Sequence, residues 1–230
     1  MRALHDERAV FSSRHLPSWL LLAAAGGTVN AIGFVAHARF VTHVTGTISS
    51  FGMAASGGKL AFESAFILLC LTILTVLAVL GATGVFGVFG DGDETRSFLF
   101  LSALSFAMGL QNAAVAAATR LIVRTTHMTG AATDLGLHLG TAFRSTGDER
   151  RASFRQAALR AGKMAAFTIG AAAGAILAAR FGFLALALPA VAVALATVSS
   201  FVASPARAGV TMVAAPCRPV PARIAERPSR

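Results

Sequence analysis

Charge is scarce in this chain: Asp, Glu, Lys and Arg together make up 13% of 230 residues, and only 10 of those residues are acidic. With 55% hydrophobic residues and a mean hydropathy of +0.69, that scarcity excludes a soluble domain of this size and assigns the chain to a bilayer. Cysteine is nearly absent as well. Cys70 sits in an apolar run and Cys217 in the C-terminal tail, a pairing that suggests neither a disulfide nor a metal site. There is no nucleophile elbow, no metal-ligand spacing and no phosphate-cradling glycine loop, so an enzyme is not expected and no cofactor is called for. The imbalance between 20 basic and 10 acidic residues would suggest nucleic acid in a soluble protein. In a membrane protein the cytoplasmic loops account for such an excess, so nucleic acid is not an expected partner.

What is present in quantity is apolar sequence. Uncharged runs at Ser64–Gly90, Ser97–Thr119 and Phe181–Ser204 each exceed the roughly 20 residues needed to cross the hydrocarbon core, and Leu16–Ala38 is equally long. Ahead of Leu16 the first 15 residues carry Arg2, Arg8 and Arg14 without a following cleavage pattern, which predicts a retained first helix. Pro17 suits its first turn, Trp19 an interfacial position, and Gly26-Gly27 close helix packing. Gly81, Gly84 and Gly87 predict a smooth helix surface, and Gly136 with Gly140, like Gly170 with Gly174, forms a small-xxx-small pair. Residues 144–163, with six basic side chains, read as a polar loop before helices at 164–180 and 183–204. The tail from Pro205 holds five of the seven prolines and reads as disordered.

The organising element is Thr42-His43-Val44-Thr45-Gly46, nearly repeated as Thr126-His127-Met128-Thr129-Gly130. Each copy follows an apolar segment carrying an amide, Asn30 or Asn112, at separations of 13 and 15 residues from the His. Each also opens a small-residue segment that predicts a broken crossing. The pattern reads as an internal duplication, repeat one over about 16–90 and repeat two over about 97–180, with an extra helix at 183–204. Thr45-Gly46 and Thr129-Gly130 would offer backbone groups at helix breaks. Asn30, Gln111 and Asn112 would offer amides; for Asn30 a helix-to-helix hydrogen bond is an equal alternative, and Gln111 and Asn112 should both face protein or a cavity. Asp134, the one carboxylate in a candidate membrane segment, lies four residues before His138 and so on one helix face with it. A salt bridge is the competing role for Asp134.

Seven full crossings would leave 13 basic residues inside and 7 outside. If Thr125–Phe143 is re-entrant, six crossings put 17 inside and 3 outside, with both termini cytoplasmic. The expected fold is therefore an all-α polytopic membrane protein of about six transmembrane helices, the seventh segment being short or re-entrant.

Gly27-Thr28-Val29-Asn30-Ala31-Ile32-Gly33, Phe40 to Gly46, Ala107 to Ala113 and Thr125 to Gly130 together resemble the YoaK-like family of bacterial membrane proteins of unknown function. The likeness covers about residues 16–204 and implies about six transmembrane helices in the bacterial inner membrane, with no established activity. The family pattern has an acid where Asn30 stands and an Asn where Thr47 stands. That departure leaves Asp134 as the candidate for ion coupling.

The leading functional expectation is a secondary transporter or permease of a small polar solute. Asn30, Thr45, Gly46, Gln111, Asn112, Thr129 and Gly130 would bind the solute, and His43, His127, Asp134 and His138 would relay a proton. The alternative is a non-transporting membrane scaffold or assembly protein whose amides and small residues pack helices. A homo-oligomer is compatible with either.

Overall fold

The structure is a computed structural model that describes residues 5, 7–37, 41, 60–89 and 94–202. Every regular element among these residues is helical. A short α1 (Glu7–Val10) precedes α2 (Leu16–His37), α3 (Leu60–Ala82), α4 (Glu94–Ala118), α5 (Met128–Arg144), α6 (Gly147–Phe181) and α7 (Ala187–Thr197). A 3-10 turn at Gly182–Leu186 joins α6 to α7, and a π turn at Val198–Val202 extends α7.

The side chains that meet fix the direction of each helix. Ala24 faces Gly170 and Thr28 faces Gly174, so α2 and α6 run parallel. The Gln111 amide of α4 donates to the Leu22 carbonyl of α2 at 2.9 Å, and the His5 N–H donates to the carbonyl of Ala118 at the end of α4, so α4 runs the other way. Phe86, just past α3, packs edge-on against Phe100 near the start of α4, which makes α3 antiparallel to α4 and parallel to α2. At one end of the bundle Phe86, Phe89, Phe100 and Phe183 form an aromatic cluster with centroids 4.9–5.9 Å apart. At the other end the start of α2 meets the end of α7: Ser18 shares a hydrogen bond with Ser199, His15 Nδ1 with Ser200 Oγ, and Trp19 packs edge-on against Phe201. Between these ends lies the core, with Leu22 and Ile32 from α2, Ile67 and Leu74 from α3, and Leu104 and Met108 from α4.

Lipid tails are as apolar as leucine, so helices in a bilayer associate through close packing and hydrogen bonds. The α2–α6 seam uses both. A Cβ on Gly27 would collide with the Phe167 carbonyl, and one on Gly170 with the Ala24 carbonyl. Across the same seam Thr28 Oγ1 donates to the Gly170 carbonyl at 2.9 Å. By contrast α3 turns Leu68, Leu69, Val76 and Val79 outward, as a lipid-facing helix does.

Among the described residues four segments are long and apolar enough to cross a membrane: Leu16–Ala36, Ser64–Ala82, Thr95–Ala118 and Gly147–Phe201. The last contains both α6 and α7. At 35 residues α6 is about 52 Å long, well beyond the roughly 30 Å hydrocarbon layer. Its first half is the stretch expected to be a polar loop. Those residues are instead helical, because Ala, Arg, Gln and Leu are strong helix formers and no proline interrupts them. Asp148 and Glu149 in the first turn and Arg180 in the last suit the helix dipole.

Three other local expectations change. Gly84 and Gly87 adopt φ of +81° and +77°, which ends α3 at Ala82, so of that glycine trio Gly81 alone sits on a helix, packed on Phe183. Gly136 and Gly140 face open space and form no seam. Trp19 is fully buried, its indole N–H donating to the Val10 carbonyl at 3.1 Å, because α1 and the end of α7 close over it.

Candidate functional site

The chain leaves α4 through a turn that local propensity would not choose. Arg120 and Leu121 take φ of +53° and +66°, left-handed values that cost a non-glycine residue about 1 kcal/mol or more. The Leu121 N–H bonds back to the Ala116 carbonyl at 2.7 Å, and Thr119 Oγ1 accepts from the Val123 N–H at 3.1 Å. These bonds hold the turn and aim residues 122–127 along the side of α2 and α6.

The expected amides anchor that path. Asn112 is buried, and its Oδ1 accepts the Thr125 N–H at 2.8 Å. In the first half of the chain Asn30, half-buried on α2, uses its Oδ1 to accept the Val41 N–H at 3.0 Å. Val41 and Thr125 each stand immediately before a Thr-His pair. Both asparagines thus fasten the backbone at the same place relative to their motif. Gln111 is fully buried, and its Nε2 donates to Leu22 O and to Thr125 Oγ1 at 3.1 Å. Its Oε1 has no hydrogen-bond partner among the described residues. Of the remaining expected residues, His43, Thr45 and Gly46 lie outside the described residues.

Past Thr125 the chain turns into α5. Thr126 is buried with its methyl group against Gly26, while His127 is exposed and forms the N-cap without a side-chain capping bond. Thr129 is exposed and its carbonyl accepts from Thr133 Oγ1 at 3.2 Å. Gly130 lies under the His127 ring, where a Cβ would stand 2.8 Å from Nδ1. One turn on, Asp134 Oδ2 is 3.5 Å from Arg160 Nε of α6, an ion pair with half of the Asp134 side chain exposed. His138 is partly exposed on the same helix. Its imidazole titrates below the ordinary histidine value, first through partial burial and then through Arg160, with Asp134 pulling the other way.

His127, Gly130 and Asp134 open onto one cleft of about 280 Å³, whose wall also holds Arg124, Arg160 and Lys163. Lys163 is buried and donates to the Arg124 carbonyl at 2.6 Å. Arg160 Nη1 bonds to Gln156 at its backbone and side-chain oxygens, while Nε is buried without a hydrogen bond among the described residues. The cleft therefore presents three cations against one carboxylate. Residues 160 and 163 fall in the stretch whose sequence predicts a polar loop, which hides their membership; as a helix, i and i+3 lie on one face, and that face meets Asp134. Asn30, Gln111 and Asn112 do not line this cleft. Among the described residues no group of three or more His, Cys, Asp or Glu is placed to hold a metal ion.

Described residues that are helical in every regular element, with four segments among them long and apolar enough to span a bilayer, have the build of a polytopic membrane protein. Residues 61–199 match the family model described as "Protein of unknown function (DUF1275)", more than half of the chain, and the protein belongs to that family. No curated protein and no solved structure matched the chain.

Proposed function

We propose that the protein is a permease of the bacterial inner membrane, a secondary carrier of a small polar solute with protons as its coupling ion. The observation that carries this reading is the cleft in which His127, Gly130 and Asp134 meet three cationic side chains. An ion-paired carboxylate beside two histidines is a group set able to exchange a proton with the solute or the medium.

A six-crossing topology, with both termini cytoplasmic, fits the helix directions. Among the described residues crossings are assigned to α2, α3, α4, the apolar half of α6 and α7, and the segment expected at 40–58 lies, Val41 apart, outside the described residues. The contacts between the start of α2 and the end of α7 support an even number. α5 and the charged half of α6 then form a hairpin on the cytoplasmic face, since α5 packs along α6 and on no other main helix to a comparable extent among the described residues. The matching roles of Asn30 and Asn112 support the internal repeat, and the likeness to the YoaK-like family supports about six crossings.

The direct test is flux. Protein reconstituted into proteoliposomes with an internal pH dye is challenged with a panel of small polar solutes, for wild type and Asp134→Asn. Solute-driven proton movement that disappears in the variant is the expected result. Pumping that is undiminished by Asp134→Asn removes the proton role, and a flat response to the whole panel removes the permease reading.

A scaffold role has one observation in its favour: the Asn30 and Asn112 carbonyl oxygens both bind backbone N–H groups. On that reading Asn30→Ala lowers stability and changes no flux.

A further inference from the structure

The cleft beside α5 has an excess of donors that its own protein partners do not use. An ammonium group has three N–H donors and Lys163 spends one on the Arg124 carbonyl. The Arg160 Nε has no hydrogen bond among the described residues, and Asp134, its ion-pair partner at 3.5 Å, is half exposed. Arg124 is exposed at the rim. The first turn of α5, a 17-residue helix, begins at the wall of the cleft without a side-chain cap, so its N–H groups and dipole add to the positive field. One buried cation, one partly buried cation and one at the rim of a single space, with ammonium donors left over, call for an anion with several acceptor oxygens.

We propose that this cleft is a binding site for an esterified phosphate, either the headgroup of an anionic lipid or the phosphate of a soluble phosphoester. A phosphate offers oxygens in several directions, which suits cations arriving from the 119–127 turn and from α6, whereas a planar carboxylate satisfies a single fork. At about 280 Å³ the space exceeds one inorganic phosphate, and Leu121 and Ile122 add an apolar wall for the attached group. The depth also fits. Arg160 and Lys163 stand where α6 passes from its charged half to its apolar half, beside the first turns of α2, with Leu20 in contact with the Cβ position of Gly162. Asp134 is the opposing charge: it competes with the phosphate for Arg160. The inference deepens the permease reading by naming the chemistry of its site, and its test measures equilibrium binding without any flux.

The full chain, purified in neutral detergent, is titrated with glycerol phosphate against sodium chloride at equal ionic strength, by calorimetry and by thermal unfolding. In a parallel arm it is placed in nanodiscs of phosphatidylcholine with or without phosphatidylglycerol. Binding of glycerol phosphate identifies a soluble phosphoester site, and stabilisation by phosphatidylglycerol alone identifies a headgroup site; either supports the proposal. Arg160→Gln is expected to weaken binding by about tenfold or more, the loss of one charge-assisted contact. Asp134→Asn is expected to tighten it several-fold. Arg124→Gln, at an exposed side chain and with unchanged circular dichroism, keeps the test valid if Arg160→Gln misfolds, and is expected to weaken binding several-fold. The proposal is overturned if neither phosphate source outperforms chloride or phosphatidylcholine, or if the folded charge variants bind as wild type does. Phosphate binding without flux sinks the permease reading alone, and flux without phosphate binding sinks this inference alone.

Discussion

Replacing Gly170 with alanine tests the seam on which the bundle is built. The added Cβ would land on the backbone of Ala24, whereas carbon atoms in comfortable contact stand about 3.5–4.0 Å apart. The two helix axes must therefore separate by about 1 Å or more, since backbone atoms on both sides leave no flexible side chain to yield. Overpacking of this kind costs about 1–3 kcal/mol. Separation also lengthens the Thr28 Oγ1 bond to the Gly170 carbonyl, now 2.9 Å, and such interhelical bonds contribute about 0.6–1.7 kcal/mol. Better helix propensity of alanine returns about 1 kcal/mol, leaving a net loss of about 2 kcal/mol. Gly27→Ala should behave alike, because its Cβ meets the Phe167 carbonyl. Gly136→Ala and Gly140→Ala are the controls: nothing lies within 4 Å of either Cβ, so each should be neutral or gain up to about 1 kcal/mol. Unfolding in mixed micelles, followed by the fluorescence of Trp19, the single tryptophan, and by circular dichroism, gives the four values. If Gly170→Ala falls within about 0.5 kcal/mol of Gly136→Ala, the two helices do not touch backbone to backbone and the account of the bundle is wrong.

Three further outcomes follow from particular bonds. Asn112→Ala strands the buried Thr125 N–H and should lower unfolding free energy by about 1–3 kcal/mol, with Asn112→Asp partly restoring it through the retained acceptor; equal losses in both would refute the Oδ1 contact. His15 titrates below the ordinary histidine value because it is buried and lies near Arg14, and its ring also packs at a tilt against His5. The folded state therefore binds fewer protons than the unfolded one, so stability is complete above the unfolded value near 6.5 and declines as pH falls through it. Melting temperature in detergent should drop between about pH 7.5 and 5.5, and His15→Gln should reduce that slope, with His138, whose imidazole is also lowered, supplying a further part. Asp134→Asn should cost less than about 1 kcal/mol, because its carboxylate is half exposed and pairs at 3.5 Å. A larger loss on thermal unfolding would mean that its effects on flux reflect folding.

Hydropathy located long apolar helices because charge is costly over the roughly 20 residues that cross a bilayer: Leu16–Ala38 corresponds to Leu16–His37, and Ser97–Thr119 to Glu94–Ala118. The same criterion misread residues 144–163, since hydropathy reports immersion and is silent on backbone conformation. Ala, Arg and Gln form helix as readily in water, and there Asp134 supplies a partner for Arg160. Gly26, Gly27, Gly170 and Gly174 were legible as packing residues; which helix met which was not, because small residues carry no complementary signature. The cluster of His5, His15, Trp19 and Ser200 was invisible for a different reason: its members are up to 195 positions apart and no periodicity links them. Of the cleft, His127, Gly130 and Asp134 were singled out from the repeat and from the isolated acid, while Arg124, Arg160 and Lys163 were counted only for topology.

Two helices whose main chains touch over several turns behave mechanically as one beam. Gly27 and Gly170 leave no side-chain cushion between α2 and α6, so neither can slide or tilt without carrying the other. The α3–α4 hairpin meets this beam differently, through side chains such as Gln111, whose amide donates to the Leu22 carbonyl.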